Sequence, residues 1–153
     1  MRPLKLIITG FCSYGKRTEI NLETLGNSGL YLITGKTGSG KTTIFDAITY
    51  ALYGEPSGNN RETSMLRSNF AGPDLPTEVE LFFELRGQKY HIKRNPSYER
   101  ISKRGEGITV ESAGALLELP DGKLLEGPKS VDKKIIELLG IDRKQFSQIV
   151  MLA

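Results

Sequence analysis

The spacing of apolar residues predicts three strands and a helix in the first third of the chain. Residues 4–9 alternate between apolar and polar positions, and residues 17–22 are suited to be their antiparallel partner across a turn. Residues 30–34 form a mostly apolar run between glycines, as expected of a strand buried on both faces. Apolar residues then recur at helical spacing until Gly54, a residue type that commonly ends helices. The residues that set this spacing are Ile44, Phe45, Ile48, Ala51 and Leu52.

The middle of the chain predicts a long loop followed by antiparallel hairpins. Residues 55–76 are polar and rich in Pro, Gly, Asn and Ser, which predicts a surface loop, and loops of this length often have a function. A hairpin is predicted over residues 77–94 because two strand-like runs flank Arg86-Gly87. A second hairpin is predicted over residues 108–119, with its turn at Ala113-Gly114.

Two helices are predicted near the end of the chain. Residues 129–139 place apolar side chains on one helical face, and Asp142 can cap a last helix that continues to the final residue. Because that last helix carries no stop signal, we expect a fragment that is cut inside an element. The predicted fold class is α/β, with a central sheet around the first helix and an antiparallel β portion from residues 4–22 and 77–119.

Composition and charge narrow the class of protein. The 153 residues suffice for one domain with a core, and 38% hydrophobic with 25% charged residues is ordinary for a soluble globular protein. The single Cys12 excludes an internal disulfide and favours a reducing, cytoplasmic location. With His91 as the one histidine, we expect neither a histidine metal site nor a Ser-His catalytic pair. A net charge of +3 permits contact with nucleic acid without indicating it.

Residues 35–42 carry the strongest chemical signal. They match G-x-x-x-x-G-K-[ST], the phosphate-binding P-loop. The glycines let backbone N–H groups converge on an anion, and the helix that follows directs its unpaired N–H groups at the same phosphates. We expect Lys41 to act as the catalytic cation at the β- and γ-phosphates of ATP, and the hydroxyl of Thr42 to bind Mg²⁺. A purely structural glycine turn has no need of Lys41 and Thr42.

A complete P-loop ATPase also needs an acidic residue after a second apolar strand, where it holds Mg²⁺ and orients water. The nearest match, Leu81-Phe82-Phe83-Glu84, lies in a predicted hairpin with alternating charges. The chain therefore contains half of an active site. We expect ATP hydrolysis only when a further lobe completes the site, and no hydrolysis by this chain alone.

Two weaker signals leave alternatives open. Tyr14 follows the first strand and is suited either to pack against an adenine or, somewhat better, to pack across the hairpin. Residues 93–104 are the densest cationic stretch and contain Tyr98, which suits either contact with a DNA backbone or a solvated loop. The candidate DNA-binding residues are Arg94, Arg100, Lys103 and Arg104.

With these motifs in place, the whole chain, residues 1–153, resembles the N-terminal ATPase lobe of the SbcC family. These are bacterial SMC-like DNA-repair ATPases with ABC-type heads. The likeness rests on residues 4–11 followed by Ser13-Tyr14, on residues 33–43 and 51–54, and on residues 94–100. It departs from some relatives at Cys12, where they carry an arginine.

The resemblance implies one half of an ABC-type P-loop ATPase head, with the C-terminal lobe and a coiled coil outside this chain. It further implies an ATP-dependent homodimer of heads, an SbcD-type nuclease subunit near the base of the coil, and DNA ends as the substrate of the complex. Ser13 and Tyr14 correspond to a strand end beside the nucleotide, and Arg67 falls where a loop approaches it. The expected nucleotide-binding residues are Ser13, Tyr14, Gly35, Lys36, Thr37, Gly38, Ser39, Gly40, Lys41, Thr42, Thr43 and Arg67.

Other P-loop proteins are the competing interpretations. A GTPase should carry an Asn-Lys-x-Asp motif after a strand, and the sequence has none. A small-molecule kinase of this size should be a complete parallel α/β domain, whereas this chain turns to antiparallel hairpins after one helix. A stand-alone nucleotide-binding module should end at a natural stop, which the unterminated last helix disfavours.

Overall fold

A computed structural model of the chain describes residues 1–26, 32–57, 65–102 and 107–150. These residues form strands and helices in the order strand pair, helix, strands, helix pair. The strands are β1 (Arg2–Thr9), β2 (Thr18–Asn21), β3 (Glu78–Leu85), β4 (Gln88–Asn95), β5 (Tyr98–Ile101), β6 (Ile108–Glu111), β7 (Gly114–Glu118) and β8 (Leu124–Glu126). The helices are α1 (Lys41–Tyr53), α2 (Pro128–Leu139) and α3 (Arg143–Val150), and Glu23–Leu25 form a single 3₁₀ turn.

Six of the strands form one sheet in the order β2-β1-β3-β4-β7-β8, and every pairing in it is antiparallel. The predicted hairpin of residues 4–9 and 17–22 is confirmed, with Leu6 opposite Ile20. The hairpin around Arg86-Gly87 is confirmed as well. Both turn residues have positive φ, 52° and 74°, as a two-residue turn needs to match the twist of its strands. The mixed α/β class is correct, but the described sheet is antiparallel throughout.

The core lies between one face of this sheet and helices α1 and α2. It is built from aliphatic residues of β1, β3, β4 and β7 that alternate along each strand toward the helices. Its largest fully buried side chains are Phe11, Phe83, Phe146, Leu6, Ile8, Leu52, Leu66, Leu81, Ile92, Leu117 and Ile135. The third helix joins through Phe146, whose ring centroid lies 5.5 Å from that of Tyr53.

Helix α1 buries only part of the face that its apolar spacing predicts, namely Ala51 and Leu52. Ile44 and Ile48 are only partly buried, while Ala47 and Tyr50 are buried in the core. Polar residues share the buried face because they have partners. Asp46 is buried, and the backbone N–H and hydroxyl of Ser57 donate to its carboxylate.

The predicted hairpin over residues 108–119 is wrong. Strands occur at both places, but β6 pairs with β5 in a separate two-stranded sheet, whereas β7 pairs with β4. The side chain of Asn95 helps to fix this choice, since its Nδ2 donates to the carbonyl of Ser112 at 2.7 Å and its register partner is Gly114. Strands β5 and β6, together called the β5–β6 hairpin, therefore form a two-stranded sheet of their own between β4 and β7 in the sequence.

The prediction of a buried strand at residues 30–34 is also wrong for the part that the structure describes. Residues 30 and 31 lie outside the described residues, and residues 32–34 are not in a strand. The side chain of Leu32 is 89% exposed. A strand buried on both faces needs a neighbour on each side, and none of the eight described strands pairs with this segment.

The two helices that follow the sheet are confirmed at nearly the expected positions. Pro128 begins α2, and Gly140, with φ of 71°, ends it. The cap predicted at Asp142 is present, because its carboxylate accepts from the N–H of Gln145 at 2.9 Å. The side chain of Gln145 accepts in turn from the N–H of Asp142 at 3.0 Å, which completes a capping box. Residues 151–153 of the predicted last helix lie outside the described part of the chain.

Candidate functional site

The glycine-rich loop turns directly into α1. Gly38 and Gly40 have φ of 83° and 89°, a region that favours glycine, and the N–H of Ser39 closes the turn on the carbonyl of Lys36 at 3.1 Å. Residues 34–39 are exposed, and Thr37, one of the predicted nucleotide-binding residues, is among them. No described side chain caps the start of α1, whose first N–H groups are therefore left for solvent or a ligand.

Lys41 spans this loop from the first turn of α1. Its Nζ donates to the carbonyl of Gly35 at 2.7 Å and to that of Lys36 at 2.9 Å. An ammonium has three donors, so these two bonds leave one for an anion. A Cβ added to Gly35 would come within 2.9 Å of Oγ of Ser39, so the side chain of Ser39 lies close to the first glycine of the loop.

The two threonines that follow Lys41 differ in exposure. Thr42 is exposed in the first turn of α1, where its hydroxyl is a hard oxygen ligand open to a metal ion. Thr43 is buried, and its Oγ1 lies 3.0 Å from Oγ of Ser13 in a hydrogen bond. The hydroxyl of Thr43 thus ties α1 to the turn that follows β1. The role of Thr43 in nucleotide binding stays a prediction.

Tyr14 lies against the loop as well. It is tied to Phe11 by two backbone hydrogen bonds of 2.9 and 3.0 Å, and a Cβ on Gly40 would meet its ring at 3.1 Å. Burial raises the pKa of the Tyr14 phenol, which is therefore neutral over the physiological range. Ser13 and Tyr14 are thus brought to the phosphate loop, Ser13 at Thr43 and Tyr14 at Gly40.

A cavity of about 710 Å³ opens beside Ser13 and has the size of a small-molecule site. One wall is the turn after β1, and the other is the segment of residues 65–70. The N–H of Cys12 joins the two walls by donating to the carbonyl of Leu66 at 2.8 Å. Sequence reasoning did not single out several lining residues, since exposed loop residues give no periodic signal. The lining residues are Cys12, Ser13, Met65, Arg67, Ser68, Asn69 and Phe70.

Arg67 lines that cavity, but its guanidinium is bound to protein groups. It donates to the carbonyls of Leu75 and Gly72 and to Oγ1 of Thr77, at 2.7–3.1 Å. Its Cζ also lies 4.9 Å from the ring centroid of Tyr98. Arg67 therefore joins the cavity wall to the base of the β5–β6 hairpin.

The predicted DNA-binding residues do not share one exposed surface. The prediction is wrong for Arg94, which is 2% exposed and bound to carbonyls of α1 and to Asp132. Arg100 pairs with Glu111 across the hairpin. The other two candidates, Lys103 and Arg104, lie outside the described residues.

The described residues also bear on whether the fold holds a cluster of metal ligands or a helix that could span a membrane. In the described ranges, no three or more His, Cys, Asp or Glu side chains are grouped as a metal site. Thr42 thus has no carboxylate cluster around it in this part of the fold. Among the same residues, no helix has both the length and the apolar character that crossing a membrane requires.

Comparison with known proteins identifies the family of this fold. The model of a family described as an AAA domain matches residues 5–153. The chain belongs to this AAA domain family. The AAA domain is similar to the C subunit of the nuclease SbcCD from Vibrio cholerae, at 46% identity over 99% of the chain. Relatives of the same name occur in Staphylococcus aureus and Lactococcus lactis, at 39% and 35% identity over 99% of the chain.

These similarities confirm the resemblance to the SbcC family. The AAA domain spans about 15% of the length of each of these three relatives. Membership of an AAA family, together with the loop at residues 35–42, supports an ATPase that binds nucleotide.

Proposed function

We propose that this AAA domain is the ATP-binding half of a DNA-repair ATPase head. In this proposal the head dimerises around ATP and controls an associated nuclease that acts on DNA ends. The observation that carries the nucleotide part is the position of Lys41. Its ammonium donates to the carbonyls of Gly35 and Lys36 in an exposed glycine loop, which leads into the uncapped start of α1.

The residues present fit a Mg²⁺–triphosphate. Gly38 and Gly40 have backbone conformations that residues with side chains rarely adopt, and without a Cβ their backbone can approach an anion closely. Gly40 also packs beside the ring of Tyr14. In our proposal the loop N–H groups bind the phosphates, Lys41 offsets charge on the β- and γ-phosphates, and the Thr42 hydroxyl contributes one Mg²⁺ ligand. The cavity beside Ser13 is the candidate site for the base and ribose.

Hydrolysis in this proposal depends on a second lobe. The nearest candidate for an acidic residue after an apolar strand is Glu84, but it lies in β3, which pairs antiparallel with both of its neighbours, β1 and β4. The C-terminal lobe of the same protein supplies the water-orienting acid, and a second head closes the site. The SbcCD relatives are about six to seven times longer than this domain, which supports the existence of such a lobe.

The partners follow from the same proposal. They are the C-terminal lobe, a second copy of the head, an SbcD-type nuclease subunit and DNA, all in the cytoplasm. The name of the relatives, which makes them one subunit of a nuclease, supports the nuclease partner.

The competing candidates, a small-molecule kinase or a stand-alone nucleotide-binding module, gain no support. The sheet beside α1 is antiparallel, whereas a kinase has a parallel sheet.

The proposal is tested by calorimetric titration of the full-length protein with ATP and Mg²⁺. Lys41→Ala should abolish binding or weaken it severely, because it removes the cation that lies over the loop. Lys16→Ala is the matched control, since Lys16 is an exposed lysine outside the loop. Unchanged ATP affinity in the Lys41 variant would exclude this site.

A further inference from the structure

The C-terminal end of α1 is held by an arginine from the sheet. Arg94 lies in β4, and its Nε donates to the carbonyl of Ala51 at 2.7 Å while its Nη2 donates to that of Leu52 at 3.0 Å. The same Nη2 also donates to the carboxylate of Asp132 in α2. Three elements of the fold therefore meet at one buried guanidinium.

The end of a helix needs partners of this kind. Its last carbonyls have no intrahelical donor, and they carry the negative end of the helix dipole. Gly54, with φ of 74°, bonds the carbonyl of Tyr50, and Arg94 satisfies the next two. Gly54 also leaves room for the arginine, because a Cβ there would lie 3.1 Å from its Nη1. The arrangement suits a planar fork of donors, which lysine lacks.

The ion pair with Asp132 does not by itself account for a cation at this position. Removing a guanidinium from water is unfavourable, and well-packed apolar residues in place of a buried ion pair are often as stable or more so. An apolar side chain cannot, however, bind the carbonyls of Ala51 and Leu52. Arg94 therefore does more than cover α1, since its bonds fix the end of the helix relative to β4 and α2.

Helix α1 links this anchor to the phosphate loop. Its 13 residues form a rod of about 20 Å, and Lys41 and Thr42 lie in its first turn. The first turn is held in its own right by the hydrogen bond between Thr43 and Ser13. Because close-packed interiors transmit strain, we expect a displacement at the C-terminal end of α1 to be felt by Lys41 at the other end.

We propose that Arg94 is a positioning residue for the phosphate loop. It fixes the position of α1 relative to β4 and α2, and that position places Lys41 and Thr42 where they contact the nucleotide. The inference rests on the proposed function, because it requires residues 35–43 to bind Mg²⁺ and ATP.

The test compares variants at the two arginines near this end of α1, in the full-length protein. Arg94→Met removes the donors at similar length, and Arg94→Lys keeps the charge without the fork. Arg143→Met is the matched control, because Arg143 bonds Glu55 and the carbonyl of Pro56, both beyond the last turn of α1. Calorimetry gives Kd for ATP with Mg²⁺ well below the Tm of each variant, and Tm is recorded separately.

Arg94→Met should raise Kd about tenfold, equal to about 1.4 kcal/mol, while Arg143→Met leaves it unchanged. Arg94→Lys should restore part of the affinity, since one flexible ammonium replaces only some of the bonds. A merely structural role would lower Tm in the folded Arg94 variants and leave Kd unchanged, and that result overturns the proposal.

If Arg94→Met does not fold, Asp132→Asn provides the same test at a half-exposed position. It leaves Arg94 in place but weakens the interaction between Arg94 and residue 132, and the Kd for ATP should rise about threefold. Unchanged Kd in this folded variant also overturns the proposal. Failure of the proposed function is recognised differently, because the wild-type protein would not bind ATP or Lys41→Ala would bind it normally.

Discussion

The ring of Tyr14 lies against Gly40 where the glycine loop becomes α1. A Cβ on Gly40 would fall 3.1 Å from Cε2 of Tyr14 and 3.3 Å from its Cζ and hydroxyl oxygen. Gly40 also has φ of 89°, which L side chains rarely adopt. The conformation therefore favours glycine at this position, and the tight space beside Tyr14 adds to that preference.

Gly40→Ala should weaken ATP binding by about tenfold or more, because the strained conformation alone costs about 1–3 kcal/mol. Adding Tyr14→Ala should recover only the steric part of the loss, which a double-mutant cycle measured by calorimetry separates. Gly122→Ala is the matched control, with φ of 80° and open space around it in the turn before β8. It should lower Tm without affecting Kd, and a Gly40→Ala variant with normal Kd would contradict the prediction.

Features set by neighbouring residues could be predicted from the sequence. The turn at Arg86-Gly87, the cap at Asp142 and the end of α1 at Gly54 all depend on residues a few positions apart. The phosphate loop was predictable for the same reason. Its glycines, Lys41 and Thr42 are adjacent in sequence, and the structure brings Ser13 and Tyr14 close to Thr43 and Gly40.

Features set by distant residues could not be predicted. The pattern of β6 identifies a strand, but nothing in it indicates that β5 rather than β7 is its partner. Arg94 belongs to a basic stretch in the sequence, yet its partners are 38 to 43 positions away in α1 and α2. Charge alone therefore placed it on the surface, whereas its hydrogen bonds place it in the interior.

Thr42→Ala should weaken ATP binding with Mg²⁺ more than binding without it. The exposed hydroxyl of Thr42 is the proposed metal ligand, and the loop N–H groups and Lys41 do not depend on the metal. Titrations with Mg²⁺ and with EDTA measure the difference. Thr42→Ser keeps the hydroxyl and should restore the Mg²⁺ effect, so equal loss in both conditions would remove Thr42 from the metal site.

The 153-residue chain by itself should bind ATP without appreciable turnover. The proposed site lacks its water-orienting acid, and a steady-state phosphate-release assay should show hydrolysis only after the C-terminal lobe is added. ATP binding by the purified chain serves as the control for folding. Steady turnover that disappears in Lys41→Ala would show that the half-site interpretation is wrong.

The last prediction concerns DNA and the segment of the sequence that joins β5 to β6. Arg94 is buried and Arg100 is paired with Glu111, so Lys103 and Arg104 are the remaining candidates for binding phosphates. Phosphate contacts carry no sequence information, and a repair ATPase acts at many sequences. Lys103→Glu/Arg104→Glu should therefore weaken binding to all duplexes alike. It should also flatten the log–log salt dependence by about 0.9 for each phosphate that the variant no longer neutralises.

The measurement needs the assembled, ATP-bound head dimer, because a single lobe offers DNA only a small surface. Titrations at several salt concentrations give the slope, and ATP affinity is checked on the same variant. Lys129→Glu/Lys133→Glu on α2 changes net charge equally, at two exposed lysines one helical turn apart, and should leave the slope unchanged. If the hairpin variant keeps wild-type affinity and slope, the segment is a solvated loop and its role in DNA binding is excluded. An equal effect of both double variants would show that net charge, rather than direct binding at the hairpin, governs affinity for DNA.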